Sequence, residues 1–158
     1  MTVQRKNKHI FVFGIFAVDI SFYVDKKVKP GETIIAKGSN IGPGGKASNQ
    51  AISARKLGGN TTLITRLGND NFYSYANTIW GKEKLSTSVK IDKTLPTGMA
   101  GIFIDDKTGE NSVIVHPGAS AQLSMNDFNS QKSKMQKGDI FLTQFEQSSD
   151  TTFSVLKE

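Results

Sequence analysis

Residues suited to ligand chemistry gather around one glycine-rich stretch of this sequence, IGPGGKASNQA, which runs from Ile41 to Ala51. Its three glycines and one proline stand directly before a segment with the composition of a helix, and Lys46 and Asn49 lie at the start of that segment. Because glycine has no side chain, it permits positive φ and the close approach of another group, so that main-chain N–H groups can face a ligand. The alternative is a tight strand-to-helix turn that binds nothing.

Two acidic residues follow predicted strands, one near each end of the chain. Asp19 comes directly after the apolar run Ile10–Val18, and Glu146 follows the segment GDIFLTQ. In a parallel sheet, ligands bind beyond the carboxyl ends of the strands. We therefore expect Asp19 and Glu146 to share one cleft with the glycine-rich stretch, although carboxylates in loops also occur as helix caps or solvated groups.

The elements that must position these residues alternate between strand-like and helix-like segments. Predicted strands cover 10–18, 22–24, 33–41, 61–66, 88–91, 98–105, 111–116 and GDIFLTQ; predicted helices cover 46–57, 71–85, 124–135 and a last segment from 149 or 150. This alternation predicts an α/β fold with a mostly parallel central sheet, to which two hairpin-like pairs of strands add a small β layer. Ser124 and Asp127 have the spacing of a capping box at the start of the third helix.

The glycine-rich stretch does not fit the common phosphate-binding motifs well. A Walker A loop requires Ser or Thr after its Gly-Lys pair, where this chain has Ala47, and Asn40 stands where that motif needs its first glycine. The dinucleotide-binding fingerprint is met formally by Gly42, Gly44 and Ala47, but it should follow the first strand of the fold. Here the glycines follow a predicted hairpin, and Pro43 stiffens the loop that would have to wrap a pyrophosphate.

A third interpretation accounts for more of the chain. From Gly44, the order Gly-Gly-Lys-Ala-Ser-Asn-Gln-Ala, followed at intervals by Gly58 and Gly68, resembles the first sequence signature of the ribokinase-like, or phosphofructokinase-B type, carbohydrate kinases. Other segments agree with that family: PGET at 30–33, RLGND at 66–70, TG at 97–98, HPGAS at 116–120 and QFE at 144–146. The resemblance extends over essentially the whole chain.

The resemblance implies a Rossmann-like core with a small β lid, in one kinase domain over residues 1–158 whose lid strands lie within 20–42 and 97–116. It implies a sugar pocket lined by Asp19, the backbone at Gly44 and Gly45, Lys46, Asn49 and Glu146. It also implies ATP and Mg²⁺ as cofactors of the intact enzyme, a sugar hydroxyl that attacks the γ-phosphate, and a possible homodimer formed through the lid. A nucleoside kinase of the same family, acting on adenosine or pseudouridine, and a non-catalytic sugar-binding remnant are the alternatives.

Two departures from the family pattern bear on function. Ribokinases carry asparagine two positions before the aspartate, whereas this chain has Ala17, so one sugar contact is missing and ribose itself is in question. The family's Gly-Ala-Gly-Asp segment, which carries the catalytic base, does not occur in the sequence, so we assign neither a catalytic residue nor a metal ligand. We therefore expect an N-terminal portion of the fold with the C-terminal part missing, which alone binds ATP and Mg²⁺ poorly and transfers no phosphate.

Composition argues against several other classes of protein. With 158 residues, of which 37% are hydrophobic and 22% charged, the chain suits one soluble globular domain. It has no cysteine, which excludes disulfides and thiolate metal sites and fits a cytoplasmic location. Its net charge of +6 is spread along the chain without a nucleic-acid-binding motif, so we expect no nucleic-acid partner. The run Ile10–Val18 imitates a signal peptide but lacks a cleavage site, and no segment reaches membrane-spanning length.

Overall fold

The computed structural model describes residues 8–136 and 139–158, whose eight strands form two four-stranded sheets. In chain order, the strands are β1 (His9–Phe13), β2 (Ala17–Val24), β3 (Gly38–Gly44), β4 (Asn60–Gly68), β5 (Ser86–Asp92), β6 (Gly98–Asp105), β7 (Asn111–His116) and β8 (Ile140–Thr143). The helices are α1 (Lys46–Lys56), α2 (Asn71–Lys82), α3 (Met125–Lys132) and α4 (Ser149–Leu156), with a 3-10 turn over Gly118–Gln122. The predicted strand GDIFLTQ begins at Gly138, which lies outside the described residues.

The first sheet has the order β5-β4-β1-β8 and is parallel throughout, as the sequence predicted for the centre of the fold. Successive residues of a strand point to opposite faces, so β1 supplies Val12 to one apolar cluster and Phe11 and Phe13 to another. Helices α1 and α2 complete the first cluster, and α3 and α4 complete the second. Burial on both faces explains why the sequence of β1 is a continuous apolar run.

The second sheet, which we call the lid, has the order β3-β2-β6-β7. Strands β2 and β6 are parallel, and each has an antiparallel neighbour on its outer side. The predicted single strand Ile10–Val18 is wrong, because the chain leaves the core sheet at Gly14 and enters the lid at Ala17. A side chain on Gly14 would lie 2.5 Å from Gln144 Oε1, so the core packs closely against this crossing point. Asp19 is consequently the third residue of a lid strand and does not follow the first core strand.

The glycine-rich stretch is also organised differently from the predicted turn. Gly42, Pro43 and Gly44 belong to strand β3, which pairs with β2 along Gly38–Gly44 instead of over the predicted residues 33–41. This strand is the edge of the lid, where a proline without an N–H group is tolerated. Only Gly45 remains as a junction between the strand and α1.

Three of the motif segments hold the lid on the core. Asp70 caps α2 by accepting a hydrogen bond from the Phe72 backbone at 3.1 Å, and it also accepts one from the Thr97 backbone at 2.7 Å. Ser120 Oγ lies 3.1 Å from the Phe16 carbonyl oxygen and 3.0 Å from that of Arg66. RLGND, TG and HPGAS are therefore explained by contacts at the junction of the two sheets.

Across the described residues, we find no helix with the length and apolarity needed to span a membrane.

Candidate functional site

The structure places the predicted site residues around the first turn of α1, where the lid meets the core. Asp19 reaches this point from β2 and Glu146 from the loop after β8. Gly44 and Gly45 lead into the helix, which begins with Lys46 and carries Asn49. Contacts or charge interactions join Asp19, Gly44, Lys46 and Glu146. The Asn49 side chain is exposed and has no hydrogen-bond partner among the described residues.

The main chain of β3 lies directly against the carboxyl group of Asp19. A Cβ atom on Gly44 would stand 2.2 Å from Asp19 Oδ1, 2.5 Å from its Cγ and 2.6 Å from Oδ2. A side chain at position 44 would therefore force the Asp19 carboxylate to move. The sequence indicated that glycine permits close approach here, but it did not show that the approaching group belongs to the protein itself.

Gly45 has a different reason for lacking a side chain. Its φ of +84° is rarely adopted by other residues, and a Cβ atom there would lie 2.5 Å from the Ile15 carbonyl oxygen. As the N-cap residue of α1, Gly45 provides no side chain to bond the free N–H groups of the first turn. The helix therefore depends on a group from elsewhere for its cap.

Glu146 provides that cap from the loop after β8. Its Oε2 accepts a hydrogen bond from the Lys46 backbone N–H at 2.7 Å, and its Oε1 pairs with the Lys46 ammonium group. A carboxylate at this end of a helix also interacts favourably with the positive end of the helix dipole. The side chain of Glu146 is only 23% exposed, whereas that of Lys46 is 65% exposed, so the lysine covers the carboxylate from the solvent side.

The electrostatics of the site disfavour a second negative charge. The pKa of Asp19 is raised above its ordinary value of 3.8, chiefly by burial and additionally by the negative charge of Glu146. When both are ionised, the two residues present carboxylate oxygens, which accept hydrogen bonds and donate none. Together with the ammonium group of Lys46, they form a site suited to a ligand rich in hydroxyl groups.

Small residues surround Asp19 on the lid. The sequence analysis named several of them but did not place them together. Ala17 and Asp19 point to the same face of β2, because they are two positions apart. Their partners on the neighbouring strands, in register, are Gly44 and Gly98 for Ala17, and Gly42 and Ala100 for Asp19. The part of the lid sheet next to the carboxylate is therefore built of glycine and alanine. Finding Gly98 and Ala100 requires the strand register.

The loop that carries Glu146 is held by two glutamines that the sequence did not single out as ligands or supports. Gln144 and Gln147 are 9% and 5% exposed, and they flank Phe145 and Glu146. The side chain of Gln144 donates to the side chain of Gln50 on α1. The QFEQ sequence alone is a weak indication of this supporting role, because only the fold shows that both amides are buried.

Another concave region lies outside this site. A cavity of about 310 Å³ opens between β5 and α3, and its lining includes Arg66 and Asp127. The Arg66 guanidinium donates to both carboxylate oxygens of Asp127, at 3.1 and 2.9 Å, so these charges are already paired. Within residues 8–136 and 139–158, no group of three or more His, Asp or Glu side chains is arranged to bind a metal ion.

Comparison with known proteins identifies similar chains. A family of sequences described as pfkB family carbohydrate kinase matches residues 7–153. The ribokinase of Dictyostelium discoideum is 37% identical over 152 residues, which cover 94% of this chain and 47% of that protein. The chain spans about half the length of the curated relatives it matches.

Solved structures agree with these sequence matches. The ribokinase of Thermotoga maritima superposes with a TM-score of 0.83 at 36% identity, over 96% of this chain and 50% of that one. An Arabidopsis thaliana ribokinase solved with ribose and ATP superposes with a TM-score of 0.65 at 31% identity, over 71% of this chain and 36% of that one. Both superpositions have TM-scores well above 0.5, so these proteins share the fold of this chain.

Proposed function

This chain belongs to the pfkB family of carbohydrate kinases, and from that membership we propose that it supplies the sugar-binding part of an ATP-dependent kinase that phosphorylates a sugar hydroxyl. One observation carries the proposal: a carboxylate from the lid, Asp19, lies against Gly44, and one from the core, Glu146, binds the backbone of Lys46 two residues later, at the N-terminus of α1. Carboxylates from two different sheets allow one sugar to be bound between the lid and the core.

Each residue has a distinct task in this proposal. Asp19 and Glu146 accept hydrogen bonds from sugar hydroxyls, and Gly44 leaves space for the Asp19 carboxylate to take up its position. Lys46 holds Glu146 in place, and the exposed amide of Asn49 offers both a donor and an acceptor. A site that pairs buried polar groups with hydroxyls discriminates against analogues that lack them. Asp19 and Glu146 thus both bind and select the sugar.

ATP supplies the phosphoryl group in such a reaction, and the sugar hydroxyl attacks its γ-phosphorus. The described residues do not form a cluster suited to Mg²⁺, so we assign no step of the transfer to a metal ion held by them. What this chain contributes is orientation, which accounts for much of the catalysis of phosphoryl transfer. The cytoplasm, where ATP is available and disulfides are rare, is the location that we propose.

A coupled ADP-release assay tests the proposal. It is carried out on the full-length protein, by which we mean the proposed kinase whose sugar-binding part this chain supplies. D-ribose, 2-deoxy-D-ribose and D-fructose are compared with adenosine and pseudouridine, in the wild type and in Asp19→Asn. Loss of a hydrogen bond to a charged group predicts a reduction of about 10- to 100-fold in kcat/KM for the sugar. Asp25→Asn is the control, because Asp25 lies just beyond β2 in an exposed pair with Lys37.

Three outcomes separate the alternatives. Sugar-dependent ADP release that falls in Asp19→Asn and persists in Asp25→Asn supports the proposed kinase. Turnover with a nucleoside but with none of the sugars favours the nucleoside kinase of the same family. Sugar binding by calorimetry without any turnover favours a non-catalytic sugar-binding protein.

We also propose that two copies of the protein associate through their lids. The edge strand β7 exposes a row of apolar side chains, with Val113 at 49%, Ile114 at 68% and Val115 at 56% exposure. An exposed apolar edge strand is a template for pairing with another chain. Val113 and Val115 lie on one face of β7 and Ile114 on the other, and pairing with a second lid would give the edge strand a partner and bury part of these side chains.

A further inference from the structure

One buried glutamine controls the shape of the loop in front of α4. The Gln147 side chain is 5% exposed, and its Nε2 lies 2.9 Å from Thr143 Oγ1, 2.5 Å from the Gln144 carbonyl oxygen and 2.7 Å from Thr152 Oγ1. These three contacts join the end of β8, the loop itself and the first turn of α4. Because residues 144–148 form neither a helix nor a strand, side chains take the place of a regular backbone ladder.

The orientation of this amide is determined by its neighbours. The main-chain carbonyl of Gln144 accepts hydrogen bonds only, so the amide nitrogen of Gln147 has to face it. Gln147 Oε1 then points toward Gly14 and is buried without a hydrogen-bond partner among the described residues. The three contacts of Nε2, in contrast, tie the loop to the elements on both of its sides. The arrangement indicates that the position of the loop matters.

The residue that benefits from this position is Glu146. It precedes Gln147 directly, and its carboxylate reaches the Lys46 backbone at 2.7 Å. On its other side, Gln144 is tied to Gln50 of α1. Glu146 is therefore bracketed by two anchored glutamines, one bound to α1 and the other to β8 and α4.

We propose that Gln147 is a positioning residue, which acts on sugar binding by holding Glu146 against Lys46 at the N-terminus of α1. The proposal rests on the proposed function for its sugar-binding consequence. Gln147 itself is buried beneath the loop and does not need to touch the sugar. A merely structural role, in which Gln147 stabilises α4 and nothing else, is the competing explanation.

A double-mutant cycle on the full-length protein distinguishes these roles. Gln147→Met keeps the length of the side chain but removes its hydrogen bonds, and we expect it to raise KM about tenfold, with little change in kcat, for whichever of D-ribose, 2-deoxy-D-ribose and D-fructose reacts fastest. When Glu146→Gln is already present, the same change should alter KM by less than about twofold, because the group being positioned has lost its charge. Equal effects in both backgrounds would overturn the proposal.

Gln131→Met is the matched control. Gln131 is 9% exposed, close to the burial of Gln147, and donates to Ser88 Oγ at 2.9 Å, beneath α3. We expect this control to lower thermal stability while KM for the same sugar stays within about twofold. If Gln147→Met does not fold, Thr152→Val removes one of its partners from a fully buried position and is measured in the same cycle.

A readout without sugar keeps this proposal separate from the proposed function. The Lys46 backbone amide donates to a carboxylate, a charge-assisted contact that shifts its proton resonance in an NMR spectrum. Gln147→Met should move this resonance toward the value seen in Glu146→Gln, whereas Gln131→Met should leave it in place. An unchanged Lys46 resonance in Gln147→Met would overturn the positioning role. Failure of every sugar to react, with the resonance shifted as expected, would count against the kinase function alone.

Discussion

The backbone N–H of Lys46 donates a hydrogen bond to Oε2 of Glu146 at 2.7 Å, although the two residues are 100 positions apart in the sequence. The contact gives α1 the cap that Gly45 has no side chain to provide. It also fixes a core carboxylate beside the lid strand that carries Asp19. Helix capping and ligand binding therefore depend on the same side chain, so changes at Glu146 affect both.

The first prediction concerns the ionisation of Asp19. Burial and the charge of Glu146 raise its pKa above 3.8, so the folded protein binds this proton more tightly than the unfolded chain does. Stability therefore falls as the pH rises through the raised pKa, because the charged form is disfavoured only in the folded state. We expect Asp19→Asn to have a higher Tm than the wild type at neutral pH, and this advantage to disappear below pH 3.8. Thermal denaturation over a pH series measures both effects.

The same variant should bind sugar more weakly than the wild type. A gain in stability together with a loss of binding is expected when a residue is kept for function in a charged form that the fold disfavours. Asp25→Asn should show neither effect, because Asp25 is 56% exposed and pairs with Lys37 at 2.7 Å in solvent. A wild type more stable than Asp19→Asn at neutral pH would show that the fold does not disfavour the charge.

The second prediction compares two glycines of β3. A methyl group on Gly44 would stand 2.2 Å from Asp19 Oδ1, whereas one on Gly42 would meet only Asn40 Nδ2, at 3.5 Å. Gly44→Ala should therefore displace the carboxylate and cost about 1–3 kcal/mol in the free energy of unfolding, with a matching loss of sugar affinity. Gly42→Ala should stay within about 0.5 kcal/mol of the wild type. Urea denaturation and calorimetry measure the pair, and similar results for both variants would refute the close contact with Asp19.

The sequence predicted well those features that depend on local patterns. The strands Gly98–Asp105 and Asn111–His116 have the predicted bounds, and the capping box of Ser124 and Asp127 is present. The mostly parallel central sheet is confirmed. It was predictable because strands that are buried on both faces have continuous apolar sequences. The resemblance to the phosphofructokinase-B type kinases is confirmed by the family match over residues 7–153. The roles of the site residues stay predictions.

Features that depend on distant partners were not predictable in the same way. Within the apolar run Ile10–Val18, Gly14 is a local signal for a break that the predicted single strand ignored, and its close contact with Gln144 appears only in the fold. The glycine-rich segment had the composition of a turn, but pairing with β2 makes Gly42–Gly44 a strand. Tertiary pairing overrode local preference there, as it often does in sheets.

The third prediction concerns the attachment of the lid. Thr97 is fully buried, its Oγ1 donates to Asp70 Oδ1 at 2.8 Å, and it accepts from the Gly68 backbone at 3.1 Å. Thr97→Val should destabilise the protein by about 1–3 kcal/mol, because a buried N–H group loses its partner. Thr94→Val is the control, since that exposed hydroxyl bonds to Asp92 at 2.7 Å. Urea denaturation should show a markedly smaller change for this control, and equal changes would contradict the importance of the Thr97 contact.

The last prediction is that association of the protein depends on β7 of the lid. Ile114 is 68% exposed in the middle of this edge strand, between Val113 and Val115. If a second lid covers Ile114, Ile114→Lys removes about 1.5–3 kcal/mol of apolar burial and puts a charge into the interface, so the dimer should dissociate. Leu57→Lys is the control, because Leu57 is 90% exposed directly after α1, away from the lid. Analytical ultracentrifugation should show dimers for the wild type and Leu57→Lys and monomers for Ile114→Lys, whereas a monomeric wild type would exclude pairing through the lid.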